Sequence, residues 1–163
     1  MLSQKEIVLR LAISLFVGLI IGYERSFHQK PAGIRTYSLV CIGSTLFMLV
    51  SAYGFQGIAK VGGFSMDPSR ISAQIITGIG FLGAGVIWKD RGTVKGLTTA
   101  ANLWVTAGLG MTVGLGLYFM TLVSVVCVFI ALYSSQFMCH LGLLHYPQQQ
   151  QEVEQGRAEH SVE

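Results

Sequence analysis

Charge is what this sequence has least of: 8 acidic and 11 basic residues among 163, or 12%, against roughly 25% in a soluble domain. With 52% hydrophobic residues, too few polar groups remain to coat a water-soluble fold, and no basic stripe suited to nucleic acid is present. Cysteine is scarce as well. Cys41, Cys127 and Cys139 lack CxxC spacing, which argues against a disulfide frame or a zinc site; a thiol in an apolar segment behaves as a small hydrophobe. There is no Ser-His-Asp set, no HExxH and no phosphate-binding loop. The four histidines, His28, His140, His145 and His160, fall in a basic loop or toward the C-terminal tail and lack ligand spacing. The expectation is a protein that is not an enzyme and carries no cofactor.

What the chain does have is long uncharged stretches. A bilayer core of about 30 Å is crossed by about 20 mostly apolar helical residues, with about 17 to 25 the usual range. Residues 7–22, 36–53, 71–88, 97–113 and 117–138 approach or meet that length. Gly114, Leu115 and Gly116 alone part the last two. These segments are apolar all round, whereas the surface helices of a soluble fold show a polar outer face. The fold class expected is therefore all-α, a polytopic transmembrane helical bundle of about five spans within residues 1–140. A polar, disordered tail over 141–163, rich in Gln and Glu, would follow. The first segment resembles the apolar stretch of a secretory signal, but Gly22, Tyr23, Glu24 and Arg25 follow it in place of a small-residue cleavage site, so it reads as a retained helix.

Lys and Arg set the expected orientation. Arg25, Lys30 and Arg35 lie between the first two segments, Lys89, Arg91 and Lys95 follow the third, and Arg157 is in the tail; the other side has only Lys5, Arg10, Lys60 and Arg70. The richer side is cytoplasmic by the positive-inside rule, so the N-terminus faces out and the tail faces in. A four-span arrangement, with the last two segments fused or one re-entrant, would put the tail outside.

Glycine and isolated polar residues are the remaining signals. Gly78, Gly80 and Gly83 match G-x-G-x-x-G in letters, but they sit inside an apolar segment with no preceding strand and no acid about 20 residues on, so the dinucleotide reading fails. In a membrane helix small residues let backbones approach closely. Gly18 with Gly22, Gly80 with Ala84 and Gly110 with Gly114 are each four apart and share a helix face; a kink or re-entrant turn at such glycines is the alternative. Gln74 and Thr77 mark one face of the third segment, and Thr98 or Thr99, Asn102 and Thr106 mark one face of the fourth. If the two stripes meet, they form either an interhelical hydrogen-bond seam or the lining of a small polar pathway. The carboxylates Glu24 and Asp90 stand beside Arg25, Lys89 and Arg91 and read as charge-paired at the interface, with Asp67 on the opposite side, so no metal site is expected among the three.

Four runs carry a resemblance: GYER at 22–25, AGIRTYSLVCIG at 32–43, RISAQIITGIGFLGAGVI at 70–87 and VKGLTTAANLWVTAGLG at 94–110. They closely resemble the N-terminal membrane domain of the MgtC/SapB family. The resemblance implies a bacterial inner-membrane protein of about five spans, with family members linked to growth in scarce Mg2+ and to survival inside macrophages. It also implies action through other membrane proteins, ATP synthase among them, within the lipid bilayer and with homo-oligomerisation open. Thr98 corresponds to a polar motif position important in the family, where some members have Asn, and Asn102 lies one turn on. The folded cytoplasmic C-terminal domain of many members has no counterpart in these residues. The motif and polar candidates are Glu24, Arg25, Arg35, Arg70, Gln74, Gly80, Gly83, Thr98 and Asn102. Modulation of another membrane complex or of Mg2+ homeostasis is the expected function; a small oligomeric transporter or channel for an ion, or a structural membrane oligomer, are the alternatives.

Overall fold

A computed structural model describes residues 2–55, 67, 69–90 and 92–140, the last six of these as backbone only. The expected tail over 141–163, and Lys60, Arg91 and Arg157, lie outside the described residues. The order is α1 (Gln4–Phe27), α2 (Ile34–Leu49) continued by a π-helical turn (Val50–Gly54), α3 (Ser69–Gly85), a hairpin of β1 (Trp88–Asp90) and β2 (Thr93–Lys95), α4 (Leu97–Leu115) and α5 (Tyr118–His140). Two compact units part within α5, at 1–125 and 126–163. In the second, the Phe129 and Tyr133 rings stack at 6.5 Å and Cys127 is exposed.

The helix ends follow from local chemistry. Ser3 caps α1 by accepting from the Glu6 amide at 3.2 Å, satisfying one of the four orphan donors of a helix start. At the other end Gln29 adopts a left-handed φ of 52°, Gln29 N donates to Ser26 O and Lys30 N to Arg25 O, each at 3.0 Å; this pair of bonds is a Schellman closure. The same closure ends α4, where Gly116 has φ 79° and the Gly116 and Leu117 amides donate to Val113 O and Thr112 O. This turn divides the apolar residues 97–138 into two helices. Before α3, the Asp67 carboxylate accepts from the Ser69 amide at 2.9 Å and the Ser69 hydroxyl at 2.6 Å, and these bonds hold its pKa below the usual carboxylate range.

In the first unit α2 packs between α1 and α4. Contact with α1 is backbone to backbone: a Cβ at Gly18 would stand 2.6 Å from Ser38 Cα and one at Gly22 2.6 Å from Ile34 Cα. Contact with α4 runs through Gly110, where a Cβ would collide with the Cys41 carbonyl, and Gly114, where it would meet Met48 Cβ at 2.7 Å. Two of the three expected glycine pairs thus form close contacts. The third does not, because Gly80 faces open space; Gly83, three residues on, meets Ala100 of α4 at ordinary distance. Tyr37, Cys41, Ile21, Leu103 and Val113 form the buried centre of the unit.

These contacts make α1 antiparallel and α4 parallel to α2, while Gly83 against Ala100 together with Gly96 against Val86 makes α3 antiparallel to α4. One end of the bundle therefore gathers the C-termini of α1 and α3, the N-termini of α2 and α4, and the hairpin. Arg25, Lys30, Arg35, Lys89 and Lys95 belong to this end; Lys5, Arg10 and Arg70 belong to the other. The hairpin pairs Trp88 with Lys95 and Asp90 with Thr93, and Lys95 bonds Asp90 at 2.6 Å on its surface.

Candidate functional site: a buried polar cluster at the basic end

Glu24 and Arg25 lie in the last turn of α1, where the helix meets α2 across Gly22. That close approach leaves little room between the helices and draws both side chains inward: they are 8% and 4% exposed. The expected pairing of Glu24 with Arg25 is present, and it is buried. Their nearest nitrogen and oxygen stand 3.6 Å apart, an ion pair beyond direct hydrogen-bond range. Glu24 also holds the partly exposed His28 one turn on, with Nδ1 3.1 Å from a carboxylate oxygen and 2.9 Å from the Glu24 carbonyl.

From the other two helices come Tyr37, fully buried in the first turns of α2, and Thr99 and Asn102 of α4. The parallel arrangement of α2 and α4 brings their first turns together, so the Tyr37 hydroxyl donates to the Thr99 carbonyl at 3.5 Å. Arg25, Asn102 and Glu24 are all electrostatic neighbours of that hydroxyl. Glu24 Oε2, Arg25 Nε and Asn102 Nδ2, each wholly shielded, have no hydrogen-bond partner among the described residues. Farther along the same α4 face Thr106 turns back on its own helix, donating to Asn102 O at 2.7 Å, and Thr45 of α2 donates to Gly110 O at 2.8 Å. This face of α4 is thus bonded to α2 through its backbone carbonyls, which accept from the Tyr37 and Thr45 hydroxyls.

The stripe on α3 does not join it. Gln74 and Thr77 are exposed, the latter bonding only its own helix at Ala73 O. With Gly78, Phe81 and Gly85, also exposed, they occupy the helix face opposite the buried Ser72, Ile75, Ile79 and Gly83. Of the other candidates, Arg35 and Arg70 are exposed in the first turns of α2 and α3, Gly80 is exposed, and Thr98 points outward one residue before the buried Thr99. Sequence reasoning brought Glu24, Arg25 and Asn102 forward separately, and the fold unites them; it missed Tyr37, which a polar ring in the AGIRTYSLVCIG run could have suggested.

It also missed a second cluster, at the other end of α1. Arg10 is 7% exposed. Its Nε bonds Glu6 at 3.0 Å, and Nη1 bonds Tyr53 OH at 3.2 Å and the Gly114 carbonyl at 2.6 Å. The Tyr118 hydroxyl donates to Glu6 at 2.9 Å. One guanidinium thus ties α1, the π turn, the end of α4 and the start of α5 together, and places its charge at the negative end of the α4 dipole. Among the described residues no group of three or more His, Cys, Asp or Glu is arranged to hold a metal ion.

Residues 11–140 match the sequence profile of the MgtC family. The YhiD protein of Escherichia coli strain K12, named as a proposed magnesium transporter, is 44% identical over 113 residues, covering 69% of this chain and 53% of that protein. Protein SapB of Bacillus subtilis strain 168 is 38% identical over 77% of this chain and 55% of its own length. Protein MgtC of Salmonella typhimurium strain LT2 is 40% identical over 76% and 50%. The chain spans about half the length of the curated relatives it matches. No solved structure matches it.

Proposed function

The chain belongs to the MgtC family, and we propose that it is a five-span protein of a bacterial inner membrane that serves Mg2+ homeostasis by modulating another membrane complex. Among the described residues two helical segments, Gln4–Phe27 and Ile34–Gly54, are long and apolar enough to cross a membrane. Large apolar side chains are exposed on α1, α2, α3 and α5, among them Phe16, Leu39, Phe81 and Phe119, a distribution suited to lipid. The richer share of Lys and Arg at the end holding the hairpin supports placing that end in the cytoplasm, with the N-terminus outside. The name of YhiD and the family resemblance supply the link to magnesium.

The observation that carries modulation over transport is the position of Gln74. A transport path lined by Gln74, Asn102 and the glycines of α3 requires these groups to face one another. Asn102 is buried against α2, whereas Gln74, Gly78, Gly80 and Gly85 face away from the bundle. An amide at a lipid-facing position is costly, so the outer face of α3 favours a protein neighbour. ATP synthase is a candidate neighbour through the family resemblance alone.

Purified protein in sealed liposomes tests the choice. Modulation predicts no Mg2+ or proton flux above that of empty vesicles. Reproducible flux that disappears with Asn102→Leu overturns it.

A further inference from the structure

We infer that Glu24, Arg25, Tyr37 and Asn102 enclose a hydrated site that binds water, or a neutral solute of water's size carrying both donor and acceptor groups. Three observations meet at this place. Among the described residues Glu24 Oε2, Arg25 Nε and Asn102 Nδ2 are fully shielded polar atoms with no hydrogen-bond partner at bonding distance, on side chains more than nine-tenths buried. Leaving a buried donor or acceptor unpaired is costly, so native interiors pair such atoms with protein groups or ordered water. The 3.6 Å between Arg25 Nη1 and Glu24 Oε2 is beyond direct hydrogen-bond range and too short for a water between the two atoms, so a water serving both stands beside the pair.

The mix of atoms selects the occupant. A carboxylate oxygen accepts, a guanidinium N–H and an amide NH2 donate, and the Tyr37 hydroxyl beside them does both. A bare cation is disfavoured by the Arg25 charge and an anion by the Glu24 charge, while water satisfies all of them with its usual two to four bonds. Asn102 is the sixth residue of α4, so at about 1.5 Å per residue the site lies about 7.5 Å beyond the helix start. His28, partly exposed and in contact with Glu24, marks the side from which water enters, at the basic end. The Arg10 cluster is the contrast: there every hydrogen-bonding direction in use ends on a protein atom.

The inference deepens the site described above and rests on the proposed membrane setting only for the side of entry. Radiolytic hydroxyl-radical labelling of the full chain in lipid nanodiscs tests it, since radicals formed from bound water mark adjacent side chains that bulk solvent does not reach. Corrected for intrinsic reactivity, Tyr37 is expected to be labelled several-fold more than Leu103 and Val113, although all three are nearly or fully buried. Asn102→Leu, which fills the site, is expected to lower Tyr37 labelling to the Leu103 level. Asn102→Ser keeps the space and a hydroxyl, and is expected to retain the labelling if the leucine variant does not fold. Labelling of Tyr37 no greater than that of Leu103 in the unmodified chain overturns the inference. Neither result depends on flux or on a partner, so failure here is distinct from failure of the modulator reading.

Discussion

The trio α1, α2 and α4 and the single helix α3 use the same residue types in opposite ways. Gly18, Gly22, Gly110 and Gly114 each bring a helix so close to α2 that a methyl group has no room, whereas Gly78, Gly80 and Gly85 of α3 meet nothing. Asn102, Thr99 and Thr106 turn inward, whereas Gln74 and Thr77 turn outward. Small and polar residues at helical spacing therefore mark contact surfaces without telling whether the contact is with the same chain or with another. The close helix contacts lie in the trio, and the outer face of α3 is open, as the proposed association with a protein neighbour requires.

The sharpest way to break that division is Gly110→Val, which drives a branched side chain into the Cys41 carbonyl and the Ser44 side chain of α2. Overpacking typically costs about 1–3 kcal/mol and more where backbone must move, so a large fall in melting temperature in detergent, or loss of folded protein, is expected. Arg10→Ala comes next. It removes the donors to Glu6, Tyr53 and the Gly114 carbonyl together, and melting should fall further than for Tyr37→Phe. The latter deletes one long bond to Thr99 O and should cost about 0.5–1.5 kcal/mol, the usual net value of a hydrogen bond.

How much of this was legible beforehand differs from helix to helix. Among the described residues each of the five apolar runs is a helix with ends displaced by a few residues, because length and punctuation survive in sequence: Gly116 stops α4 where the apolar residues alone run on. The pairs Gly18 with Gly22 and Gly110 with Gly114 were legible from spacing. Gly80 with Ala84 was not, since a helix apolar all round carries no sign of which face turns inward. Burial of Glu24 and Arg25 was hidden for a related reason. Their neighbours Tyr37 and Asn102 are 12 and 77 positions from Arg25, and only the parallel packing of α2 on α4 brings them together. The Arg10 cluster draws on Tyr53, Gly114 and Tyr118 in the same long-range manner.

The smallest effects are expected on α3. Gly80→Leu places a side chain in open space with a better helix former than glycine, so melting should stay within about 0.5 kcal/mol or rise slightly. Gln74→Leu should likewise leave the melting of the isolated protein in detergent unchanged, yet weaken whatever complex forms in the native membrane, as judged by co-purification after crosslinking.

Site-specific photocrosslinking in native membranes tests the central division most directly, with a photoreactive residue placed at Phe81 on the open face of α3 and, separately, at Leu103 in the interior, 81% and 1% exposed. The account predicts one dominant adduct with a different membrane protein from position 81 and adducts only within the chain from position 103. An intermolecular adduct from 103, or lipid and self-adducts alone from 81, would contradict it.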